Sequence, residues 1–271
     1  VDGHLAVLHM ASFAGSTISA GSAGKITIQN GDMQGNLNIT EGNLENLVVA
    51  KGDFSGRLEV ASLLGCLHVR QGTISADVFA DAVGTISCRK MADNVIRSAG
   101  DIEAVQVRRA ENISVSAAGD LDRFTVAHNL TGSTVAAGRN CGRIIVRGDC
   151  LDNMLLAGAD LGVNGRMGDL EDQFGDGNIE LLKVRGSYRG TIAATAIHPG
   201  ADFIYFTDDD FAASSGYIGK VRFTEAGFAQ RNSDHKYGLI CTEPIPAVRV
   251  LGQTITAPFE LDWLCLRIIA E

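Results

Sequence analysis

The sequence predicts an all-β protein, a single-stranded parallel β-helix or β-solenoid. Residues 31–51 and 52–71 repeat one phrase, GDMQGNLNITEGNLENLVVAK and then GDFSGRLEVASLLGCLHVRQ. Each copy holds an apolar pair two residues apart, then an anchor, then a second pair. Such pairs, broken by Gly, Asn and Asp, indicate short strands separated by tight turns. A repeat of about 20 residues without helical spacing is typical of stacked coils.

Residues 1–146 follow this template as regular coils. Leu5, Leu8 and Met10 match its second half, so the chain enters partway through a coil. The predicted inward residues of the complete coils are Ile18, Ala20, Ala23, Ile26, Ile28; Leu37, Ile39, Leu44, Leu47, Val49; Leu58, Val60, Leu64, Leu67, Val69; Val78, Ala80, Val83, Ile86, Cys88; Ile96, Ser98, Ile102, Val105, Val107; Val115, Ala117, Leu121, Phe124, Val126; and Thr134, Ala136, Cys141, Ile144, Val146. Each coil should add about 4.8 Å, the spacing of hydrogen-bonded strands.

Residues 147–271 continue the same solenoid with long insertions near 158–178, 195–217 and 224–238. The first two leave the same corner of successive coils, so we expect them to lie side by side; the third leaves the other corner. The inward residues predicted here are Leu155, Ala157, Ile179, Leu182, Val184; Ile192, Ala194, Ile218, Val221, Phe223; Leu239, Cys241, Ile245, Val248, Val250; and Ile255, Ala257, Leu261, Leu264, Leu266.

About eleven coils are expected in one continuous body, right-handed by the crossover preference. Neither end of this predicted stack looks capped, and open solenoid ends offer unpaired strand edges. We therefore expect self-association, or joining to further repeats of the same parent protein.

The overall charge narrows the classes of partner. A net charge of -9 and a pI near 5.1 argue against nucleic acid and against anionic membrane surfaces. No apolar run approaches the length of a membrane span. Cations are the more natural small partners.

Acidic residues concentrate in the first two insertions. The candidate ligands are Asp172, Asp176 and Asn178 from one loop and Asp208 and Asp210 from the other. Oxygen donors on Gly-rich turns suit a hard cation such as Ca²⁺. The alternative is that these acids are solvated loop residues. No other cofactor is expected.

Catalysis has little support in the sequence. Glycan cleavage needs paired carboxylates and aromatic platforms, yet Trp263 is the only tryptophan. No two histidines have ligand spacing, so we expect no enzyme and name no catalytic residue. The cysteines are assigned by template position: Cys88, Cys141 and Cys241 inward, Cys66 and Cys265 outward, and Cys150 in a turn.

Three stretches carry a family resemblance: AGKITIQNGDMQGNLNI, PGADFIYFTDDD followed by GYIGKVRF, and YGLICTEPIPAVRVLGQTITAP. They resemble the repeats of very large bacterial cell-surface and secreted proteins, similar to haemagglutinin-like adhesins and long planctomycete-type surface proteins. The resemblance implies an extracellular or cell-surface location, a solenoid shaft or filament, and glycans or cell-surface molecules as partners.

The favoured function is therefore a structural or adhesive segment that forms a shaft or envelope component by coil stacking. One alternative is a carbohydrate-active β-helix enzyme, a polysaccharide lyase or hydrolase or a tailspike-like protein. Another is a polymerising β-helical scaffold of the bactofilin-like kind. A groove holding carboxylates beside the insertions would favour the enzyme, and a convex acidic loop the shaft.

Overall fold

The computed structural model describes residues 3–224, 238–255, 259–261 and 264–269. These residues form strands, turns and loops, and no helix occurs among them. The third predicted insertion, near 224–238, lies almost wholly outside the described residues, as do Ala257 and Trp263.

The strands are, in chain order, β1 (His4–Met10), β2 (Thr17–Ala20), β3 (Ser22–Ile28), β4 (Asn36–Ile39), β5 (Leu44–Val49), β6 (Arg57–Ile74), β7 (Asp77–Ala92), β8 (Val95–Ser98), β9 (Ile102–Glu111), β10 (Ser114–Ala117), β11 (Leu121–Val126), β12 (Leu130–Thr131), β13 (Thr134–Ala137), β14 (Cys141–Val146), β15 (Cys150–Leu151), β16 (Met154–Ala157), β17 (Ala159–Asp160), β18 (Gln173–Phe174), β19 (Ile179–Val184), β20 (Tyr188–Arg189), β21 (Ile192–Thr195), β22 (Ile197–His198), β23 (Phe211–Ala212), β24 (Ile218–Phe223), β25 (Gly238–Cys241), β26 (Ala247–Val250), β27 (Gln253–Ile255), β28 (Phe259–Leu261) and β29 (Leu264–Ile268).

Each coil has three sides, of which the sequence template describes two. The first side is a strand such as β4, whose Leu37 and Ile39 point inward. The second side is a strand such as β5, which buries Leu44, Leu47 and Val49. Both kinds pair in parallel with the equivalent strands of neighbouring coils, as in β2–β4–β6 and β3–β5–β6. The predicted parallel β-solenoid is confirmed.

The third side contributes one inward residue per coil, and the template misses it. These residues stack through bridges and short strand pairs: Phe13, Met33, Phe54, Ile74, Met91, Ala110, Leu130, Cys150 and Tyr188. Cys150 is thus a fully buried member of this row, and its assignment to a turn is wrong. The solenoid has about eight turns. The prediction of about eleven is slightly higher because it includes the last three coils, from Ile192 onward, in which no third-side residue is described.

Two first-side strands are shifted by one residue from the predicted register. β13 buries Val135 and Ala137 in the solenoid core, rather than Thr134 and Ala136. β21 likewise directs Ala193 and Thr195 inward, since they pair with the inward Leu155 and Ala157, rather than Ile192 and Ala194. A one-residue shift exchanges the two faces of a strand. The error arose because both faces are apolar here.

At the C-terminal end antiparallel strands follow the last parallel rungs, whereas parallel coils were predicted to residue 266. The strand β27 pairs antiparallel with β26, and β28 pairs antiparallel with β29. The predicted final coil is also wrong in register, because Leu266 lies over Leu239 and Ile268 over Cys241 as the next first-side pair. Antiparallel strands thus occupy the outer edges of the last rungs.

Side-chain oxygens connect successive coils at the corners. The backbone N of Asp120 donates to Asp101 Oδ1 at 2.8 Å, that of Asn140 to Asp120 Oδ1 at 3.0 Å, and that of Asn178 to Asn140 Oδ1 at 3.2 Å. These bonds satisfy backbone donors where the sheet ladder is interrupted. Asp and Asn therefore recur in the turns for a structural reason.

Candidate functional site

The first insertion is a lobe that folds back over the outer face of the first side. It begins and ends with the antiparallel pair of β17 and β18. Its backbone carbonyl at Gly162 accepts from Arg97 Nε at 2.5 Å, and its Asp160 accepts from Arg97 Nη2 at 2.7 Å. Further along the lobe, the carbonyl of Gly165 accepts a hydrogen bond from Ser114 Oγ. The lobe therefore reaches back across three earlier coils.

The second insertion forms a matching lobe that extends the opposite way. It begins and ends with the antiparallel pair of β22 and β23. Arg267, on the last first-side strand, donates from Nη1 to the carbonyl of Thr207 at 2.8 Å and lies 3.4 Å from Asp210 Oδ2. An arginine on the solenoid thus anchors each lobe.

The two lobes lie side by side, as the sequence predicts. The His198 ring lies between Phe174 of the first lobe and Phe211 of the second, with ring centroids 4.7 Å and 4.6 Å away. Ser214 Oγ of the second lobe bonds Asp176 of the first. The lobes are therefore one packed unit.

A second hydrophobic core joins the lobes to the solenoid. Its buried members are Ala136, Leu156, Ala159, Leu161, Ala194, Ile197, Tyr205 and Ile240. Four of them are outward residues of consecutive first-side strands: Ala136, Leu156, Ala194 and Ile240. The sequence reading missed this core, although four apolar residues at equivalent outward positions were a signal for it.

The five predicted calcium ligands are dispersed. Asn178 belongs to the corner row described above, and its Oδ1 accepts from the backbone N of Tyr217 at 3.0 Å. Asp176 is exposed and accepts from Ser214 and from the backbone N of Ser215. Asp208 is exposed, with no described partner.

Asp172 and Asp210 accept from backbone groups inside their own loops. Asp172 Oδ2 accepts from the backbone N of Gly168 at 2.7 Å, and Asp210 Oδ2 from that of Phe206 at 2.7 Å. In the part of the chain that the structure describes, no group of three His, Cys, Asp or Glu side chains is arranged to hold a metal ion. Calcium binding stays a prediction, and these contacts show what the acids do without it.

Burial and hydrogen bonding shift the pKa values of several ionisable groups in and beneath the lobes. Desolvation raises the pKa of Asp210, against the opposing effects of its backbone hydrogen bond and Arg267. It raises the pKa of Asp172 likewise. The pKa of Arg97 is lowered by desolvation, which the charge of Asp160 partly offsets. The hydroxyl of Thr207 and the backbone N of Ala201 hold the pKa of the exposed Asp209 below its usual range.

A groove of about 470 Å³ lies beside the tip of the first lobe. Val163 of the lobe forms one wall, and the outward Glu59, Phe79 and Arg97 line its floor. The Arg57 guanidinium lies 4.3 Å from the centre of the Phe79 ring and 2.6 Å from Glu59. The floor cations are thus already paired with residues of this chain.

The buried cysteines behave as small apolar side chains. Burial raises the pKa of Cys88, Cys141 and Cys241 to about 12 each, so these thiols stay protonated near neutral pH. Their predicted inward positions are confirmed. Cys66 is half-buried, and all cysteines with described side chains are free. The Cys265 side chain lies outside the described set.

Comparison with protein-family models, curated proteins and solved structures found no significant match. In the described ranges, no helix has the length and apolar character needed to span a membrane.

Proposed function

We propose that the chain is a structural segment whose first coil stacks on a further β-coil. The observation that carries this proposal is the state of the N-terminal rung. Strand β1 pairs with β3 on one edge, and no other described strand pairs with it. An unpaired edge of this kind is a template for another strand.

The apolar residues of this rung are also incompletely covered. Leu5, Leu8, Met10, Phe13 and Ile18 are half-buried, whereas their partners one coil farther in, Ala23, Ile26, Ile28, Met33 and Leu37, are at most 1% exposed. Covering them would remove apolar surface from water, at about 25 cal/mol per Å². Both backbone pairing and hydrophobic burial thus favour a further coil here.

The two ends differ, which affects the kind of assembly. Antiparallel β27 and β28 follow the last parallel rungs, whereas the first rung, β1, pairs in parallel with β3. Growth into a long filament needs two complementary faces, whereas pairing of like faces closes after two molecules. The proposal is therefore a shaft segment with stacking at its N-terminal face.

The position of this segment outside the cell rests on the resemblance of its repeats alone. The proposal places it in an extracellular or cell-surface protein with a structural or adhesive role and assigns it no catalytic step. Fractionation of the producing cells, with antibody detection of the full-length product, tests the location independently of stacking.

Light scattering of the chain over a range of concentrations tests the stacking. The parent should form concentration-dependent oligomers, and Leu8→Lys should shift them towards monomer. Val7→Lys is the matched control, because Val7 is the neighbouring outward residue and is 54% exposed. A parent that remains monomeric throughout, or a Val7→Lys effect equal to that of Leu8→Lys, overturns the proposal; circular dichroism verifies that both variants are folded.

A further inference from the structure

Five of the 23 Lys and Arg residues of this acidic protein form one row along the solenoid. The row lies at the corner that follows the second side and contains Arg70, Arg89, Arg108, Arg147 and Arg185. The residues before the first three, Val69, Cys88 and Val107, pair with one another in consecutive coils. Equivalent places in successive coils are separated by about 4.8 Å.

Backbone hydrogen bonds show that the row continues. Arg147 N donates to Val126 O, and Arg185 N to Val146 O, both in the coil before. Between Arg108 and Arg147 the equivalent residue is Ala127, but its neighbour His128 accepts a 3.0 Å hydrogen bond from Arg108 Nε. The row therefore runs from Arg70 to Arg185 with one gap, at Ala127.

These arginines are available to a ligand. All five are exposed, and none forms an ion pair with a described carboxylate. Three of them line a shallow groove of about 500 Å³ together with Ser87 and Cys88. On the adjoining sheet face Lys183, Arg222 and Arg249 pair in consecutive coils and extend the positive surface towards the C-terminal end.

We infer that this arginine row binds a linear acidic polysaccharide. A single line of cations at rung spacing complements an extended chain that carries carboxylate or sulfate groups at regular intervals. Arg offers planar, forked donors that match such groups. The inference does not depend on coil stacking.

Nucleic acid fits the row less well. Single strands are usually held by aromatic side chains that stack on bases, and no described Phe, Tyr or Trp lies in the row.

Fluorescence anisotropy with labelled polygalacturonate and heparin fragments tests the inference. The first probe carries carboxylates alone and the second adds sulfates, so the pair shows which acidic group is preferred. Neutral dextran and an oligothymidine of matched length complete the set. Binding of either acidic polysaccharide, weakened by salt and absent for dextran, is expected.

Arg89→Gln combined with Arg108→Gln should weaken binding about tenfold near 0.1 M salt. It should also reduce the slope of log K against log salt by about 1.4, at roughly 0.7 per lost contact. The matched control, Arg57→Gln with Arg139→Gln, removes the same charge from exposed arginines elsewhere and should bind like the parent. Equal weakening by both pairs, no polysaccharide binding at low salt, or tighter binding of oligothymidine overturns the inference.

Discussion

At the scale of single residues, the side chain's direction decides what a substitution costs. Leu181 and Leu182 are adjacent in β19, yet Leu182 is fully buried in the solenoid core while Leu181 faces outward between Arg143 and Lys220. We expect Leu182→Asp to destabilise the fold by at least about 3 kcal/mol, because it buries an unpaired carboxylate. Leu181→Asp should be close to neutral, since the new charge lies near two cations.

Urea unfolding of both variants measures this difference. Both variants replace Leu by Asp, and the two positions are adjacent in the sequence, so each variant is the control for the other. Similar midpoints would contradict the register described for β19. An outward residue is a suitable control only if it is exposed. Val48 of β5 also points outward, but it lies between Thr27 and His68 and is only 8% exposed, so its substitution would be a poorer control.

Asp210 predicts a pH dependence of stability. Its pKa is raised above the ordinary 3.8 by desolvation. Between 3.8 and the raised value the folded chain therefore binds more protons than the unfolded chain, so this group's contribution to stability falls as pH rises. Asp210→Asn keeps one oxygen acceptor for Phe206 N and does not ionise. Its free energy of unfolding relative to the parent should therefore improve from about pH 4 to pH 7.

Urea midpoints of the parent and of Asp210→Asn across this pH range measure the effect. Asp208→Asn is the control, because Asp208 is exposed and has no described hydrogen bond. A constant difference between Asp210→Asn and the parent would show that the carboxylate of Asp210 is not penalised by burial.

At the scale of strands and loops, the sequence predicts elements that repeat a pattern and misses those that do not. Period-two pairs identified most strands of the first and second sides, as in β4 and β5. The third side has one inward residue per coil, such as Met33 or Phe54, and a single apolar residue between turns has no periodicity to detect. The lobes caused the register errors in β13 and β21, because they cover the outward faces of these strands and make both faces apolar.

The candidate site in the two lobes shows the same limit of prediction from sequence. Sequence reasoning placed the two insertions together correctly from the corner they share. It could not show that Asp172 and Asp210 bind backbone groups of their own loops, or that Asn178 belongs to a corner row, because these contacts depend on loop conformation. Composition alone identifies acidic residues and leaves their partners open.

These contacts bear on the calcium prediction. Asp172, Asp176 and Asp210 already accept hydrogen bonds from groups of the lobes, so a cation would have to compete with these donors. We expect the thermal midpoint to differ little between millimolar calcium and chelator. A site occupied at a hundred times its dissociation constant would instead add about 2.7 kcal/mol. A clear calcium-dependent rise that Asp176→Ala and Asp208→Ala each abolish would establish these acids as ligands.

At the scale of the whole molecule, the net charge does not show where the charged residues lie along the solenoid. Stacking repeats places equivalent residues in rows, so charge accumulates along corners and faces. A net charge of -9 is compatible with the exposed row from Arg70 to Arg185 because the acids occupy other rows, such as the corner of Asp101 and Asp120. Exclusion of polyanionic partners from net charge alone is therefore unsafe for this architecture.

The ends of the solenoid should likewise differ from its middle in local stability. Each coil is stabilised by its neighbours, so a strand with one neighbour opens more readily than a strand with two. The strand β1 pairs with β3 alone among described strands, whereas β11 pairs with both β9 and β14. Hydrogen–deuterium exchange at low protein concentration should show fast exchange in β1 and exchange limited by global unfolding in β11. Raising the concentration should slow exchange in β1 selectively if stacking covers it, and Leu8→Lys should remove that protection. Equal protection of β1 and β11 in the dilute chain would contradict the open N-terminal rung on which the stacking proposal depends.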